Sequence, residues 1–294
     1  MHSPSRMLVP PRCVLIAFLF GLTLILSCSA PVQRPTGPTR NYDDAKDMFK
    51  RGRFDRALEF TDGLATATPP TEFTARAQVL RVVIYAGQLA SYKELAETYA
   101  KGAAETKNLP FKAAYERLRH DNLQSGAAAA LGLAETAHRL VAGGLPKELT
   151  LEAPFPSAEA PIEVKEFSRV KSGGWLEPDQ QDAAAINCLN KAIDDTLAGA
   201  LSSDRSKART ALATGSTKIE GLDFALFLGN QLVEGAALFD RKHSRDSQKL
   251  KTLCNEADEV AQAALALLKE NPSKDKEKEV KKLQERIKTT LKNV

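Results

Sequence analysis

The chain has 294 residues, of which 43% are hydrophobic and 27% are charged, as in an ordinary folded protein. Its 41 Lys and Arg and 37 Asp and Glu leave a net charge of only +4, so the charge balance gives no reason to expect a nucleic-acid partner. Aromatic residues make up 6% and alanine is abundant, which favours close-packed helices over sheets.

The first 27 residues have the pattern of a signal peptide. Arg6 and Arg12 precede a charge-free run that extends from Cys13 to Leu26. A membrane-spanning helix needs about 20 apolar residues, so this run is short for a permanent anchor and has the length of a signal-peptide core.

The run ends Ile25-Leu26-Ser27-Cys28, which resembles the lipobox of bacterial lipoproteins. In that motif an aliphatic residue and small residues precede a cysteine that is lipidated and becomes the new N-terminus. Leu26 departs from the pattern, because a small residue is usual there. The resemblance implies a signal peptide over residues 1–27 and a lipid on Cys28. The alternative is a plain secretory signal cleaved after Ala30.

Residues 28–41 then read as a lipid-anchored tether, because Pro31, Pro35, Gly37 and Pro38 disfavour both helix and strand. The partner at this end of the chain would be the membrane. Ser29 rather than Asp follows the cysteine, which by the same resemblance implies the outer membrane, with the body facing the periplasm.

Two cysteines remain in the body, Cys188 and Cys254. In an oxidising compartment such a pair is a possible disulfide. Both lie in helical patterns, and a bridge between helices needs closely placed and well-aligned Cβ atoms. Two small buried core residues are therefore the alternative.

The region from 42 to 144 has the periodicity of packed helices. Asn41 is expected to cap the first helix, Gly52 to end it, and Pro69 to follow the second. The spacing of small and aromatic residues resembles a tetratricopeptide repeat (TPR), which packs two antiparallel helices in about 34 residues. The residues that carry the resemblance are Ala45, Phe49, Gly52, Phe54, Ala57 and Pro69.

A second and looser pass of this pattern places one helix face before Gly87 and another after it, up to Tyr99. A further helix begins near Pro110, and an alanine-rich one ends at Gly143 and Gly144. The N-terminal half is therefore predicted to be built from TPR-like helical hairpins.

Residues 145–178 break the helical period and are interpreted as an irregular crossover. Ile162–Val170 alternates apolar and charged residues, which is typical of a half-buried strand. The single tryptophan, Trp175, follows a glycine pair. Trp175 could be an exposed binding anchor or a plug between the two helical halves.

Residues 179–294 are predicted to be helical again. Pro178 suits the first position of a helix, Ile219–Phe239 is apolar enough to be the central buried helix, and Leu250–Asn271 forms another. The last helix begins at Lys274 and is nearly all charge. Its thin apolar stripe predicts packing along one seam.

No catalytic or metal-binding motif is recognisable. His120 and His138 fall on charged helix faces and are read as exposed surface residues, and no metal or cofactor is expected. We therefore predict an all-α protein that is not an enzyme.

Two functions fit these observations. The first is an envelope lipoprotein that acts as a helical scaffold and binds another envelope protein or a peptide. The second is a small-ligand-binding accessory lipoprotein that resembles the T component of TRAP transporters. In that case Trp175, Phe155 and Phe167 would line a pocket under the crossover.

Overall fold

The computed structural model of the chain describes residues 37–156, 164–240 and 243–292. Its helices are α1 (Pro38–Lys50), α2 (Phe54–Ala65), α3 (Thr74–Glu105), α4 (Leu109–Ala142), α5 (Glu166–Lys171), α6 (Pro178–Ala200), α7 (Arg205–Ala211), α8 (Gly221–Ala236), α9 (Ser247–Glu270) and α10 (Lys274–Leu291). The described residues also form two short strands, β1 (Glu148–Leu151) and β2 (Thr217–Glu220), and one 3-10 turn (Ala237–Phe239). The predicted signal peptide, Cys28 and most of the predicted tether lie outside the described residues.

The predicted all-α class is confirmed, and both helical halves contribute to one main core. That core extends from Ala45 and Phe49 in α1 to Leu283 and Ile287 in α10. A smaller apolar cluster lies under the crossover, between α3, α4, α5 and α6. The crossover therefore connects two halves that share a core.

The first hairpin forms as predicted. Gly52 has φ +69°, a left-handed conformation that glycine adopts without strain, and it separates α1 from α2. The rings of Phe49 and Phe54 meet edge to face with centroids 5.2 Å apart, while Ala45 and Ala57 are completely buried. Membership of the TPR type stays a prediction.

The predicted start of the body is wrong by four residues. Helix α1 begins at Pro38, so the last part of the predicted tether is helical and Asn41 lies inside the first turn instead of capping it. The physical reason is that proline suits the first helical position, where its missing N–H would have no partner and its fixed φ already matches the helix.

The prediction of a turn at Gly87 is also wrong, because Gly87 lies inside α3, which is one continuous helix of 32 residues. Helix α4 likewise runs for 34 residues and joins two segments that the sequence suggested separately. Gly87 lies where α6 crosses α3: a Cβ there would come within 2.4 Å of the Ile193 side chain. The glycine therefore permits a close helix crossing rather than a turn.

The crossover does contain a strand, but residues 164–170 of the predicted strand Ile162–Val170 do not form one, and its first two residues lie outside the described part of the chain. Strand β1 pairs antiparallel with β2, and Leu149 lies opposite Ile219 with both side chains buried. Residues 166–171 instead form α5, which buries Phe167 and Val170 on one face. A spacing of three residues suits a helix, and in so short a segment it overrides the apparent alternation.

Helix α8 is the predicted central helix, although it begins at Gly221 because Ile219 belongs to β2. By length and composition the segment Gly221–Phe239 could cross a membrane, but 67% of it is buried inside the protein, as in a core helix. Helix α10 covers it with the predicted seam of Val280, Leu283 and Ile287.

The possible disulfide is not formed. Cys188 and Cys254 are both free and buried, the first in the smaller cluster and the second in the main core. The Cys188 thiol donates to the Ser91 carbonyl oxygen at 3.6 Å. Burial raises the pKa of each thiol to about 11, which keeps both protonated and unreactive at neutral pH.

Candidate functional site

An open cleft of about 600 Å³ lies between two segments of the chain, residues 65–78 and 138–146. One wall is the loop between α2 and α3 with the first turns of α3, and the other is the end of α4 with the residues that follow it. We call this space the hairpin cleft. It is lined by Ala65, Thr66, Ala67, Thr68, Pro70, Thr71, Thr74, Ala75, Gln78, His138, Arg139, Leu140, Ala142, Gly143, Gly144 and Pro146.

The first wall of the hairpin cleft is held in place by short-range hydrogen bonds. The Gln78 side-chain amide donates to the Ala65 carbonyl oxygen at 3.0 Å, which ties the end of α2 to α3. The Thr71 N–H donates to the Thr74 hydroxyl at 2.8 Å. Because both bonds lie within this wall, its shape is defined before any ligand arrives.

The second wall combines small residues with the side chains of His138, Arg139 and Leu140. Helix α4 ends at Ala142, and Gly144 follows in a left-handed conformation with φ +79°. Ala142 and, across the cleft, Ala75 are exposed. Arg139 is the one lysine or arginine among the lining residues, and its guanidinium donates to Glu135 at 2.5 Å. The surface offered to a ligand is therefore mostly uncharged.

Three potential metal ligands meet at the rim of the hairpin cleft. His138, on α4, faces Glu256 and Glu259, which are one turn apart on α9. The His138 Nδ1 atom lies 3.3 Å from Glu256 Oε2 and 3.6 Å from Glu259 Oε2. His138 is 57% exposed, as the sequence predicted for a surface histidine, but it is not isolated from other ionisable groups.

The environment of Glu256 disfavours its charged form. Burial raises the pKa of Glu256, the nearby Glu259 carboxylate raises it further, and His138 acts in the opposite direction. Its Oε2 atom is buried, and the 3.3 Å approach of His138 Nδ1 lacks the geometry of a hydrogen bond, so this atom accepts none within the described part of the chain. A cation at this point would interact favourably with both carboxylates.

The three aromatic residues predicted to line a pocket are not brought together. Trp175 is half-buried and stacks on Phe111, with ring centroids 5.0 Å apart and planes 16° apart. The Tyr115 ring is tilted against it with centroids 5.3 Å apart, and Phe167 is buried in the same cluster. This arrangement is the one expected of a plug. A binding role for Trp175 stays a prediction.

Phe155 lies elsewhere, against the main core. The Arg209 guanidinium lies 4.4 Å from the centre of its ring and donates to Asp194 Oδ2 at 2.6 Å. Asp194 is fully buried on α6, and burial raises its pKa to about 6 although Arg209 opposes that shift. This buried ion pair joins α6, α7 and the crossover.

Sequence reasoning missed the hairpin cleft because its walls are about 70 positions apart in the chain. One part of the rim could have been noticed: Glu256 and Glu259 are three positions apart in a predicted helix, so they share a face. Their histidine partner could not be found in that way, because it comes from a different helix.

The fold and the site together define an all-α protein with an open, mostly uncharged cleft. Comparison with protein-family models, with curated proteins and with solved structures gives no significant match.

Proposed function

We propose that this chain is an envelope lipoprotein whose helical body serves as a non-catalytic scaffold. Its partner would be a segment of another envelope protein, bound in the hairpin cleft. The observation that carries this proposal is the cleft itself, which is open, preformed and mostly uncharged. Preformed walls reduce the ordering entropy that a bound segment must offset.

A small ligand is the second candidate, because a volume of about 600 Å³ falls within the range of small-molecule sites. A thermal-shift screen against small anions and metabolites separates the two functions. A ligand that binds the folded state raises the melting temperature, whereas a scaffold for proteins gives no shift with any compound.

We expect Ala75→Arg to reduce recovery of the partner at least about tenfold in a crosslinked pull-down of the detergent-solubilised chain. Ala75 is exposed in the first wall of the cleft, so arginine there fills the cleft without disturbing the core. A loss of about 1.4 kcal/mol corresponds to that factor. Mass spectrometry of the recovered proteins provides the measurement.

Ala104→Arg is the matched control, since Ala104 is also exposed on α3 but lies at its other end. The control should recover the partner as the unmodified chain does. Equal recovery with both variants would place the partner on another surface, and equal loss would indicate a general effect of added charge.

Lipid attachment at Cys28 is tested separately. Cys28→Ala should release the protein into the soluble envelope fraction and abolish labelling by radioactive fatty acid, because the cysteine thiol is the acceptor of the lipid. Each buried CH₂ of an acyl chain contributes about 0.8 kcal/mol to membrane binding, so loss of the chains removes the anchor. A variant that still sediments fully with membranes would rule out the lipid as the anchor.

A further inference from the structure

We infer that His138, Glu256 and Glu259 form a binding site for a divalent transition-metal ion of the Zn²⁺ type. Within the described residues they are the one group of three or more such side chains whose ligand atoms all lie within 4.8 Å of one another. The sequence alone predicted no metal site, because its ligands come from two helices far apart in the chain.

The distances fit tetrahedral coordination. Zinc binds histidine nitrogen and carboxylate oxygen at about 2.0–2.2 Å, so two ligand atoms at tetrahedral angles are about 3.3–3.6 Å apart. The two separations from His138 Nδ1 are 3.3 Å and 3.6 Å. The ligand atoms of the two glutamates lie within 4.8 Å of each other, and Glu259 is 53% exposed, so its side chain can rotate to adjust that separation.

The helices that carry the ligands are fixed by the core. Helices α4 and α9 pack together, and Ala137 on α4 and Ala257 and Ala261 on α9 are fully buried in the main core. The metal ligands lie beside this contact, with Glu256 16% exposed. The backbone positions of all three ligands are therefore set by helix packing and need little rearrangement to bind an ion.

The local charge also favours a cation. Two carboxylates face one imidazole, and neither makes an ion pair with a lysine or arginine in the described ranges. A divalent ion would balance both carboxylates and give the buried Glu256 Oε2 atom a direct bond, which the 3.3 Å approach of His138 Nδ1 does not supply.

The donor set selects the kind of metal. Calcium and magnesium prefer oxygen ligands alone, whereas an imidazole with carboxylates suits zinc and neighbouring transition ions. Three protein ligands leave at least one coordination position for water or another ligand. Because His138 also lines the hairpin cleft, that position lies at the cleft's rim.

Calorimetric titration of the full chain in detergent with Zn²⁺ tests the inference. We expect one ion to bind per chain, and we expect Co²⁺ to give the intense visible absorption of a tetrahedral complex. His138→Ala and Glu259→Gln should each lower the Zn²⁺ affinity at least about tenfold, since changing even a residue behind the ligands can have that effect.

His120→Ala is the control, because His120 is exposed on the same helix and its hydrogen-bonding neighbour is Gln124. It should bind Zn²⁺ as the unmodified chain does. Melting curves recorded with a chelator check that the exposed variant Glu259→Gln is folded. The inference is overturned if no ion binds, if neither His138→Ala nor Glu259→Gln changes the affinity, or if the control loses as much as they do.

Discussion

Arg209→Ala should lower the free energy of unfolding by about 3–5 kcal/mol at pH 7, because it leaves the buried Asp194 carboxylate without its hydrogen-bonded ion-pair partner. Asp194 is completely buried, and its Oδ1 atom has no hydrogen-bond partner within the described residues. Arginine also covers the Phe155 ring, so its packing contribution is lost as well. Urea denaturation at pH 7 measures the change.

The loss of unfolding free energy caused by Arg209→Ala should be smaller at pH 5 than at pH 7. Burial raises the pKa of Asp194 to about 6, so the folded protein takes up a proton there below that pH. An unfolded aspartate does so only below about pH 4. The stability contributed by this protonation is therefore present at low pH and is lost as pH rises from about 4 to 6. At pH 5 Asp194 is mostly neutral and needs arginine less.

Arg205→Ala is the matched control from the same helix. Arg205 pairs with Asp195, which is 46% exposed, and an exposed pair contributes less than about 1 kcal/mol. An equal deficit for Arg209→Ala at pH 5 and pH 7 would show that the charge of Asp194 is not its cause. A loss no larger than that of the control would contradict the buried ion pair itself.

Gly87→Ala should destabilise the protein by about 1–3 kcal/mol, although alanine is the better helix former. Its Cβ would lie 2.4 Å from Ile193 Cδ1 and 3.1 Å from Ile193 Cα, so both the side chain and helix α6 must move. Chemical denaturation provides the measurement. Combining the change with Ile193→Val removes the nearest atom and should restore part of the loss.

Gly63→Ala provides the comparison. Gly63 is an exposed glycine within α2, and a Cβ there would meet no atom within 4 Å. The same substitution should stabilise the protein by about 0.5–1 kcal/mol at this position, because only the helix preference of alanine acts. If both variants were more stable than the original chain, the crossing of α3 and α6 would be looser than the structure describes.

Helix boundaries with local causes were predictable from the sequence. Gly52, Pro178 and Lys274 mark a turn and two helix starts that the structure confirms. Each follows from backbone chemistry at the position itself: a left-handed turn, a proline at the first helical position, and a break after Pro272. The seam of α10 was also predictable from nearby sequence, because its apolar residues recur at helical spacing.

Features that depend on distant residues were not predictable. Gly87 reads as a turn in isolation, and only Ile193 on another helix shows why a glycine lies within α3. Strands of four residues give too little pattern to identify their partner. The hairpin cleft and its rim combine segments that have no common sequence signal. For this reason the sequence points to Trp175 as a candidate site residue and gives no sign of the cleft.

The pairing of β1 with β2 has a consequence for the order of folding. The paired residues Glu148 and Glu220 are 72 positions apart, so bringing them together costs about 4 kcal/mol of loop-closure entropy. The contacts of α1 with α2 and of α3 with α4 join neighbours in the chain and avoid most of that cost. We therefore expect the N-terminal helices to assemble first. The pairing of β1 with β2, which closes the long loop between them, should follow later.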